Sequence, residues 1–226
     1  MHLSTADVAA MLGLREQDVL SRVSTGDLPG RKIGAEYHFL KTEIDEYILR
    51  QSIVVTPAYF NAGDSAPFLL AGLLKRGGLV MNIPGTTMAE VIQHGVHTLP
   101  AFPGLDREDC IRALLSRESQ LSTAIGGGIA IPHPRSPIIA DCDQESITVL
   151  RPAQPVVAIS PDGLPVHTMF LVLSSNARRH LEILARLAWV LSDGGMRRAV
   201  QTAASLDELV RIVSTLDQAI SGGKVP

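Results

Sequence analysis

The sequence RESQLSTAIGGGIAIPHPR occupies residues 117–135 and carries most of the information about the fold. Three consecutive glycines at 126–128 allow a tight turn or a close backbone approach. A short apolar strand follows the glycines and ends in a proline. The pattern therefore predicts that His133 is presented at the end of a strand, between Pro132 and Pro134.

A histidine in this position has the properties that a transient phosphohistidine requires. Its imidazole is neutral and nucleophilic near physiological pH. Hydroxyl groups can bind phosphate oxygens, and a guanidinium group can offset their charge. The candidates for these contacts near His133 in the sequence are Arg117, Ser122, Thr123 and Arg135. Judged on these residues alone, His133 has an alternative interpretation as a structural or surface histidine.

Helix-like and strand-like segments alternate on both sides of this stretch. Helical periodicity covers residues 68–74, 88–97, 106–116, 177–192 and 206–216. Strand patterns cover residues 128–131, 146–150, 156–159 and 166–173. This mixture predicts a layered α/β domain.

The N-terminal residues have a different organisation. Residues 3–14 open with a hydroxyl residue suited to a helix N-cap and end their helical pattern at Gly13. A second helix is expected at about 15–24, with Val19, Leu20 and Val23 facing inward. A glycine-turned alternating stretch at 31–40 and a third helix from Lys41 complete a small winged helix-turn-helix unit.

The segments predict two domains. We expect a helix-turn-helix domain at 1–50 and an α/β domain at 67–217, with a tail at 218–226. Residues 51–66 contain turn formers and no sustained period, so they are expected to form a linker.

Composition narrows the class of protein. The 226 residues are 46% hydrophobic and 19% charged, which is enough to bury a substantial core. No apolar run reaches the roughly 18 to 20 residues needed to span a bilayer, and no basic segment followed by an apolar one opens the chain. We therefore expect a cytoplasmic protein. Residues 1–50 contain six Lys and Arg against eight Asp and Glu, so a basic DNA-binding face is present only locally.

No metal or disulfide site is expected. Cys110 and Cys142 are far apart and lack the spacing of a zinc site or a disulfide framework. His94 and His97 lie at helical spacing, but the sequence offers no third ligand beside them.

The motif REXXXSTXIGXGIAIPH closely resembles the phosphorylation site of the fructose/mannitol-type enzyme IIA domains of the sugar phosphotransferase system, including their nitrogen-regulatory relatives. The resemblance extends over roughly residues 67–217. It implies a mixed sheet flanked by helices, with His133 as the phosphoryl acceptor and donor, Arg117 as a phosphate-stabilising residue and His180 as a second active-site histidine. Interpreted from the residues alone, His180 is expected to be a core histidine that forms a hydrogen bond with a backbone group. Pro134 replaces the small residue, usually glycine, that commonly follows the histidine, and it lacks a backbone N–H.

Residues 3–48 resemble the excisionase and MerR-like helix-turn-helix families. The resemblance places the second helix in the major groove and the hairpin against phosphates. It implies that Gln17, Ser21 and Arg22 lie near bases and that Arg31 and Lys32 contact the DNA backbone. Glu16 and Asp18 place negative charge at the groove-facing end, so the alternative is a degenerate module that binds protein or the neighbouring domain.

These features predict a regulatory protein of the phosphotransferase system. In this hypothesis His133 accepts a phosphoryl group from a phosphorylated HPr-like carrier, and the transfer changes what the DNA-binding module or the IIA surface binds. The chemistry requires no cofactor. One alternative is a sugar-transport IIA component that passes phosphate to a IIB partner, and another is a non-catalytic binding protein.

Overall fold

The computed structural model describes residues 2–34, 36–51, 56, 58–61 and 69–221. The chain divides into two compact units, Met1–Ala66 and Pro67–Lys224. Of the expected linker, residues 52–55, 57 and 62–66 lie outside the described residues, as do residues 222–226 of the expected tail.

The N-terminal unit is a helix-turn-helix domain with a small sheet. Its elements are β1 (His2–Leu3), α1 (Thr5–Leu12), α2 (Glu16–Ser24), β2 (Arg31–Ile33), β3 (Glu36–Leu40), α3 (Lys41–Gln51) and α4 (Ala58–Asn61). β3 pairs antiparallel with both β1 and β2. The Ser4 side chain caps α1 in a capping box with Asp7, and Gly13 ends the helix at a φ of 64°. Val19 is fully buried, whereas Leu20 is 38% exposed, so the expectation that Leu20 faces inward was wrong.

Part of the stretch expected to be a linker packs on the N-terminal unit. The backbone N–H of Thr56 donates to the carbonyl of Met11 at 2.9 Å. Tyr59 is 1% exposed, and its hydroxyl donates to Oδ1 of Asp45 at 3.0 Å. Lys41 Nζ lies 2.8 Å from the same carboxylate oxygen and 4.2 Å from the centre of the Tyr59 ring. This buried cluster fixes α4 to the helix-turn-helix domain.

The C-terminal unit is a mixed sheet flanked by helices, as the sequence predicts. Its strands are β4 (Leu79–Ile83), β5 (Ala124–Gly126), β6 (Ile129–Ala130), β7 (Ser146–Pro152) and β8 (Thr168–Leu173). Its helices are α5 (Leu70–Gly77), α6 (Met88–His97), α7 (Arg107–Gln120), α8 (Ala177–Val190), α9 (Gly194–Thr202) and α10 (Leu206–Ser221). The strand order is β4-β7-β8-β6-β5; β4–β7 and β6–β8 are parallel pairs, and β7–β8 and β5–β6 are antiparallel.

The centre of this sheet is the most buried part of the unit. All six residues of β8 and the first five of β7 are buried. Strands in which successive residues are buried without alternation are typically covered on both faces. α5 and α6 pack against β7, and α8 packs against β8. Gly77 lies so close to the Ile147 carbonyl that a Cβ atom would collide with it, so glycine is required for this approach.

Three features of the C-terminal unit differ from the sequence predictions. The strand expected at 156–159 is wrong, because Val157 and Ile159 are 82% and 87% exposed and the segment forms only isolated bridges. β4, β5 and α9 were not predicted. α10 continues to Ser221, into the stretch expected to be a tail.

Candidate functional site

The peptide hydrogen bonds around β6 place His133 just beyond the end of the sheet. The N–H of Ile131 donates to the Thr123 carbonyl at 3.0 Å, and the N–H of Val172 donates to the Pro132 carbonyl at 2.9 Å. Pro132 has no N–H with which to continue the ladder. The strand therefore ends before Pro132, and the side chain of the following residue, His133, belongs to the candidate site.

The glycine-rich turn sets the start of the same strand. Gly126, Gly127 and Gly128 have φ angles of 86°, 63° and 70°, which residues other than glycine rarely adopt. The N–H of Gly127 donates to the Asp162 carboxylate at 2.6 Å. The turn thereby folds β5 back on β6, and the Asp162 carboxylate stabilises the turn by accepting this hydrogen bond.

A hydrogen bond determines which ring nitrogen of His133 carries the proton. Nδ1 lies 2.7 Å from the carbonyl oxygen of Ile131. A carbonyl can only accept, so Nδ1 must carry the proton, and Nε2 then carries the free lone pair. Burial, the neighbouring His180 and Arg117 lower the pKa of His133 to about 3. The ring is therefore neutral, with an unprotonated Nε2.

His180 lies directly beside His133. The two ring centroids are 5.2 Å apart, and the planes are tilted by 58°. His180 is in the first turns of α8, whose N-cap Asn176 accepts a hydrogen bond from the N–H of Arg179. The ring is 1% exposed, and burial lowers its pKa to about 4. Its Nδ1 lies 2.8 Å from the hydroxyl of Ser174, whereas Nε2 has no hydrogen-bond partner within the described part of the chain.

Two arginines supply positive charge near this pair. The charge of Arg117 lowers the pKa of both His133 and His180. The Arg117 side chain donates to the Leu121 carbonyl at 2.6 Å, and burial lowers its own pKa. Arg135 is exposed and acts electrostatically on Arg117. An anion in this region would therefore meet cationic surroundings.

Ser122 and Thr123 have contacts of a different kind. The Thr123 hydroxyl donates to the Glu118 carboxylate at 2.6 Å, and the Thr123 N–H donates to the same group at 3.1 Å. The Ser122 hydroxyl accepts from the N–H of Ala124 at 3.3 Å. These bonds fix the entry into β5 and do not reach the imidazoles. Sequence reasoning did not assign Glu118 a role, although it stands second in the quoted motif.

The five DNA-binding candidates are all exposed on the N-terminal unit: Gln17, Ser21 and Arg22 on α2, and Arg31 and Lys32 on β2. Arg22 donates to the Tyr47 hydroxyl at 3.3 Å, and Arg31 pairs with Glu43 at 2.9 Å. The negative charge of Asp18 is paired with Arg15 at 2.9 Å. The acidic start of α2 is therefore partly neutralised.

Within the described residues, no three or more His, Cys, Asp and Glu side chains cluster in a way that would hold a metal ion. His94 is exposed, and its Nδ1 lies 2.9 Å from the Pro84 carbonyl. None of the helices in the same described ranges is long and apolar enough to cross a membrane.

Comparison with known proteins identifies both units. Residues 73–215 match the family model "Phosphoenolpyruvate-dependent sugar phosphotransferase system, EIIA 2", and residues 3–52 match a helix-turn-helix domain model. The nitrogen regulatory protein of Pseudomonas aeruginosa is 31% identical over 147 residues, which are 64% of this chain and 94% of that protein. The fructose-specific EIIABC component of Bacillus subtilis is 34% identical over 149 residues, which are 65% of this chain but only 23% of that protein.

A solved structure shows the same architecture. The nitrogen regulatory protein IIA-Ntr of Neisseria meningitidis superimposes with a TM-score of 0.54 and 26% identity, covering 64% of this chain and 98% of that one. The family model alone matches more than half of the chain. The chain therefore belongs to the EIIA type 2 family of the phosphoenolpyruvate-dependent sugar phosphotransferase system and carries a helix-turn-helix domain ahead of that region.

Proposed function

We propose that this protein accepts a phosphoryl group on Nε2 of His133 from a phosphorylated HPr-like carrier and serves as a regulator. The observation that carries the proposal is the hydrogen bond from Nδ1 to the Ile131 carbonyl, which leaves the Nε2 lone pair free beside His180. A neutral imidazole with an oriented lone pair is the form that attacks phosphorus.

The transfer conserves atoms and charge without a cofactor. The lone pair of Nε2 forms a new N–P bond while the N–P bond of the carrier breaks, and the electron pair of that bond returns to the carrier histidine. The phosphorylated ring of His133 then carries a positive charge shared with its Nδ1–H, which the Ile131 carbonyl stabilises. Because the two bonds are alike, positioning and charge stabilisation suffice for the reaction.

The phosphoryl oxygens need donors, and the site offers two kinds. Nε2 of the buried His180 has no hydrogen-bond partner in the described chain, so it is available to a phosphoryl oxygen. Arg117 contributes positive charge from one side, and the exposed Arg135 can contribute from the surface. Pro134 supplies no N–H. Ser122 and Thr123 remain candidate contacts only if they exchange their present bonds for the phosphate.

The regulatory assignment rests on the domain order. A helix-turn-helix domain precedes the IIA region, and the similar nitrogen regulatory protein of Pseudomonas aeruginosa is matched over 94% of its length. A transport role, in which His133 passes the group to a IIB partner, is supported by the similarity to the fructose-specific component of Bacillus subtilis. The two roles share the phosphorylation step and differ in the fate of the phosphoryl group.

The first experiment is a phosphotransfer assay with phosphoenolpyruvate, enzyme I and an HPr-type carrier. Intact-mass spectrometry should show one acid-labile phosphoryl group on the wild-type chain and none on His133→Ala. His167→Ala is the matched control, because His167 is also half-buried but bonds to Thr168 instead of the site. An unlabelled wild-type chain with several carriers would refute the proposal and favour a binding-only protein.

We propose further that the N-terminal domain binds DNA through α2 and the β2–β3 hairpin. The double variant Arg31→Ala/Lys32→Ala should weaken binding of the full chain to all duplexes by a similar factor and reduce its salt dependence, because these side chains would contact phosphates. Gln17→Ala should instead alter sequence preference. Fluorescence anisotropy with duplexes selected from a random pool measures both effects.

Arg112→Ala, which removes an exposed arginine from the C-terminal unit, is the control for the DNA-binding variants. If the wild-type chain selects no duplex, or if Arg112→Ala weakens binding as much as the double variant does, the DNA-binding proposal fails.

A further inference from the structure

The buried contact between Ser174 and His180 is unusual because neither residue can reach water. Ser174 is 0% exposed at the end of β8, and His180 is 1% exposed. Their Oγ and Nδ1 atoms are 2.8 Å apart. This is the one hydrogen bond that the Ser174 side chain makes within the described residues.

The bond can run in two directions, and each leaves one donor and one acceptor unpaired. If Nδ1–H donated to the hydroxyl, the buried O–H of Ser174 would lack an acceptor and Nε2 of His180 would lack a donor. If the hydroxyl donates to Nδ1, the unpaired donor is instead the N–H at Nε2, on the ring that lies beside His133. A phosphoryl oxygen on His133 can accept from this N–H, and buried donors without acceptors are costly, so the second direction is favoured.

Building on the proposed phosphorylation of His133, we infer that the Ser174 hydroxyl donates to Nδ1 of His180 and holds this ring in the Nε2–H tautomer, which then donates to the phosphoryl group on His133. Ser174 is thus a positioning residue that acts through His180. The two histidines carry opposite tautomers. His133 has Nδ1–H and a nucleophilic Nε2, whereas His180 has an acceptor at Nδ1 and a donor at Nε2.

The opposite tautomers have a chemical consequence. A lone pair on Nε2 of His180 would repel the phosphoryl oxygens, whereas an N–H attracts them. Because burial lowers the pKa of His180 to about 4, the ring is neutral near physiological pH and cannot supply a donor at both nitrogens. Under these conditions the tautomer alone determines whether His180 assists or opposes the transfer.

The tautomer is measured on the unphosphorylated full chain by multiple-bond ¹H–¹⁵N NMR of the histidine rings near pH 7. Wild-type His180 should carry its proton on Nε2, and Ser174→Ala should give a mixture of tautomers. Ser146→Ala is the matched control, because Ser146 is 1% exposed on the neighbouring strand, and it should leave the spectrum of His180 unchanged. A wild-type ring protonated on Nδ1, or an unchanged ring in Ser174→Ala, overturns the inference.

The transfer rate gives the second readout. Ser174→Ala should slow phosphorylation of His133 at least about tenfold, because the donor at Nε2 is no longer enforced. Ser174→Thr, which keeps the hydroxyl, should restore both the tautomer and much of the rate. A merely structural role would alter thermal stability but not the tautomer. Equal rates for the wild-type chain and Ser174→Ala overturn the positioning role.

The two proposals fail separately. If the wild-type chain takes no phosphoryl group while His180 is in the Nε2–H tautomer, the proposed function is wrong and the tautomer assignment stands. If phosphorylation occurs but His180 is protonated on Nδ1, the proposed function stands and the role of Ser174 is wrong.

Discussion

The two site histidines owe their neutrality chiefly to burial. Burial is the largest cause of the low pKa of His133, about 3, and of His180, about 4. Neighbouring positive charge from Arg117 lowers both pKa values further. Both rings are therefore neutral over the whole physiological range, and the rate of phosphoryl acceptance should not change with histidine titration there.

Burial of neutral His180 predicts a loss of stability in acid. Its pKa lies below that of an unfolded histidine, so the unfolded chain binds the proton first. The stabilising effect is complete above about pH 6.5 and is lost as the pH falls toward about 4. Between about pH 6.5 and 4.5, the free energy of unfolding of the wild-type chain should fall by about 2 kcal/mol more than that of His180→Gln.

Urea unfolding at the two pH values measures this difference. Glutamine keeps a polar side chain but does not titrate, so the carboxylates that also titrate affect both chains alike. Equal losses in the two chains would show that the pKa of His180 is the same in the folded and the unfolded chain, which would contradict the prediction.

At the scale of single elements, α8 is the helix on which the candidate site depends. Its N-cap Asn176 accepts from the N–H of Arg179, one residue before His180. α9 has a comparable cap, because Asp193 accepts from the N–H of Met196 at 2.7 Å. α9 carries none of the candidate site residues.

Removing either of these two caps should have the same effect on stability but a different effect on phosphoryl transfer. Asn176→Ala and Asp193→Ala should each lower the free energy of unfolding by about 1 kcal/mol, because each leaves a helix N-terminus uncapped. Only Asn176→Ala should also slow phosphorylation of His133, because it loosens the turn that holds His180. Thermal unfolding and the phosphotransfer assay measure the two effects, and similar transfer rates in both variants would contradict this role of the α8 cap.

At the scale of the whole molecule, the chain is two units with separate chemistry. All candidate phosphoryl-site residues lie in the C-terminal unit, and all DNA-binding candidates lie in the N-terminal unit. Thr56 and Tyr59 extend the N-terminal unit beyond the boundary expected at residue 50.

Separated fragments test this division. Fragment 67–226 should fold and accept the phosphoryl group at a rate near that of the full chain. Fragment 1–66 should unfold at a clearly higher temperature than fragment 1–50, because the shorter one lacks buried Tyr59, whose removal costs about 3 kcal/mol. Calorimetry of both N-terminal fragments measures the difference, and equal melting temperatures would show that Thr56 and Tyr59 contribute nothing.

The sequence alone identified the fold class and the motif around His133, because these depend on local patterns. The helices at 88–97 and 177–190 are predicted by apolar periodicity, and the strands β7 and β8 are predicted by short runs of mostly apolar residues. The segment at 156–159 has the same apolar composition, and local pattern could not show that it forms only isolated bridges and leaves Val157 and Ile159 exposed. The roles of the site residues stay predictions.

Only the tertiary structure decided which groups meet. The strand order brings His133, at the end of β6, beside His180 on α8, and no local pattern encodes a contact between elements so far apart in the chain. The Ile131 carbonyl then assigns the proton of His133 to Nδ1, and the Ser174 hydroxyl is placed against Nδ1 of His180. These contacts depend on burial and on distances of less than 3 Å, which arise only when the sheet and the helix pack together.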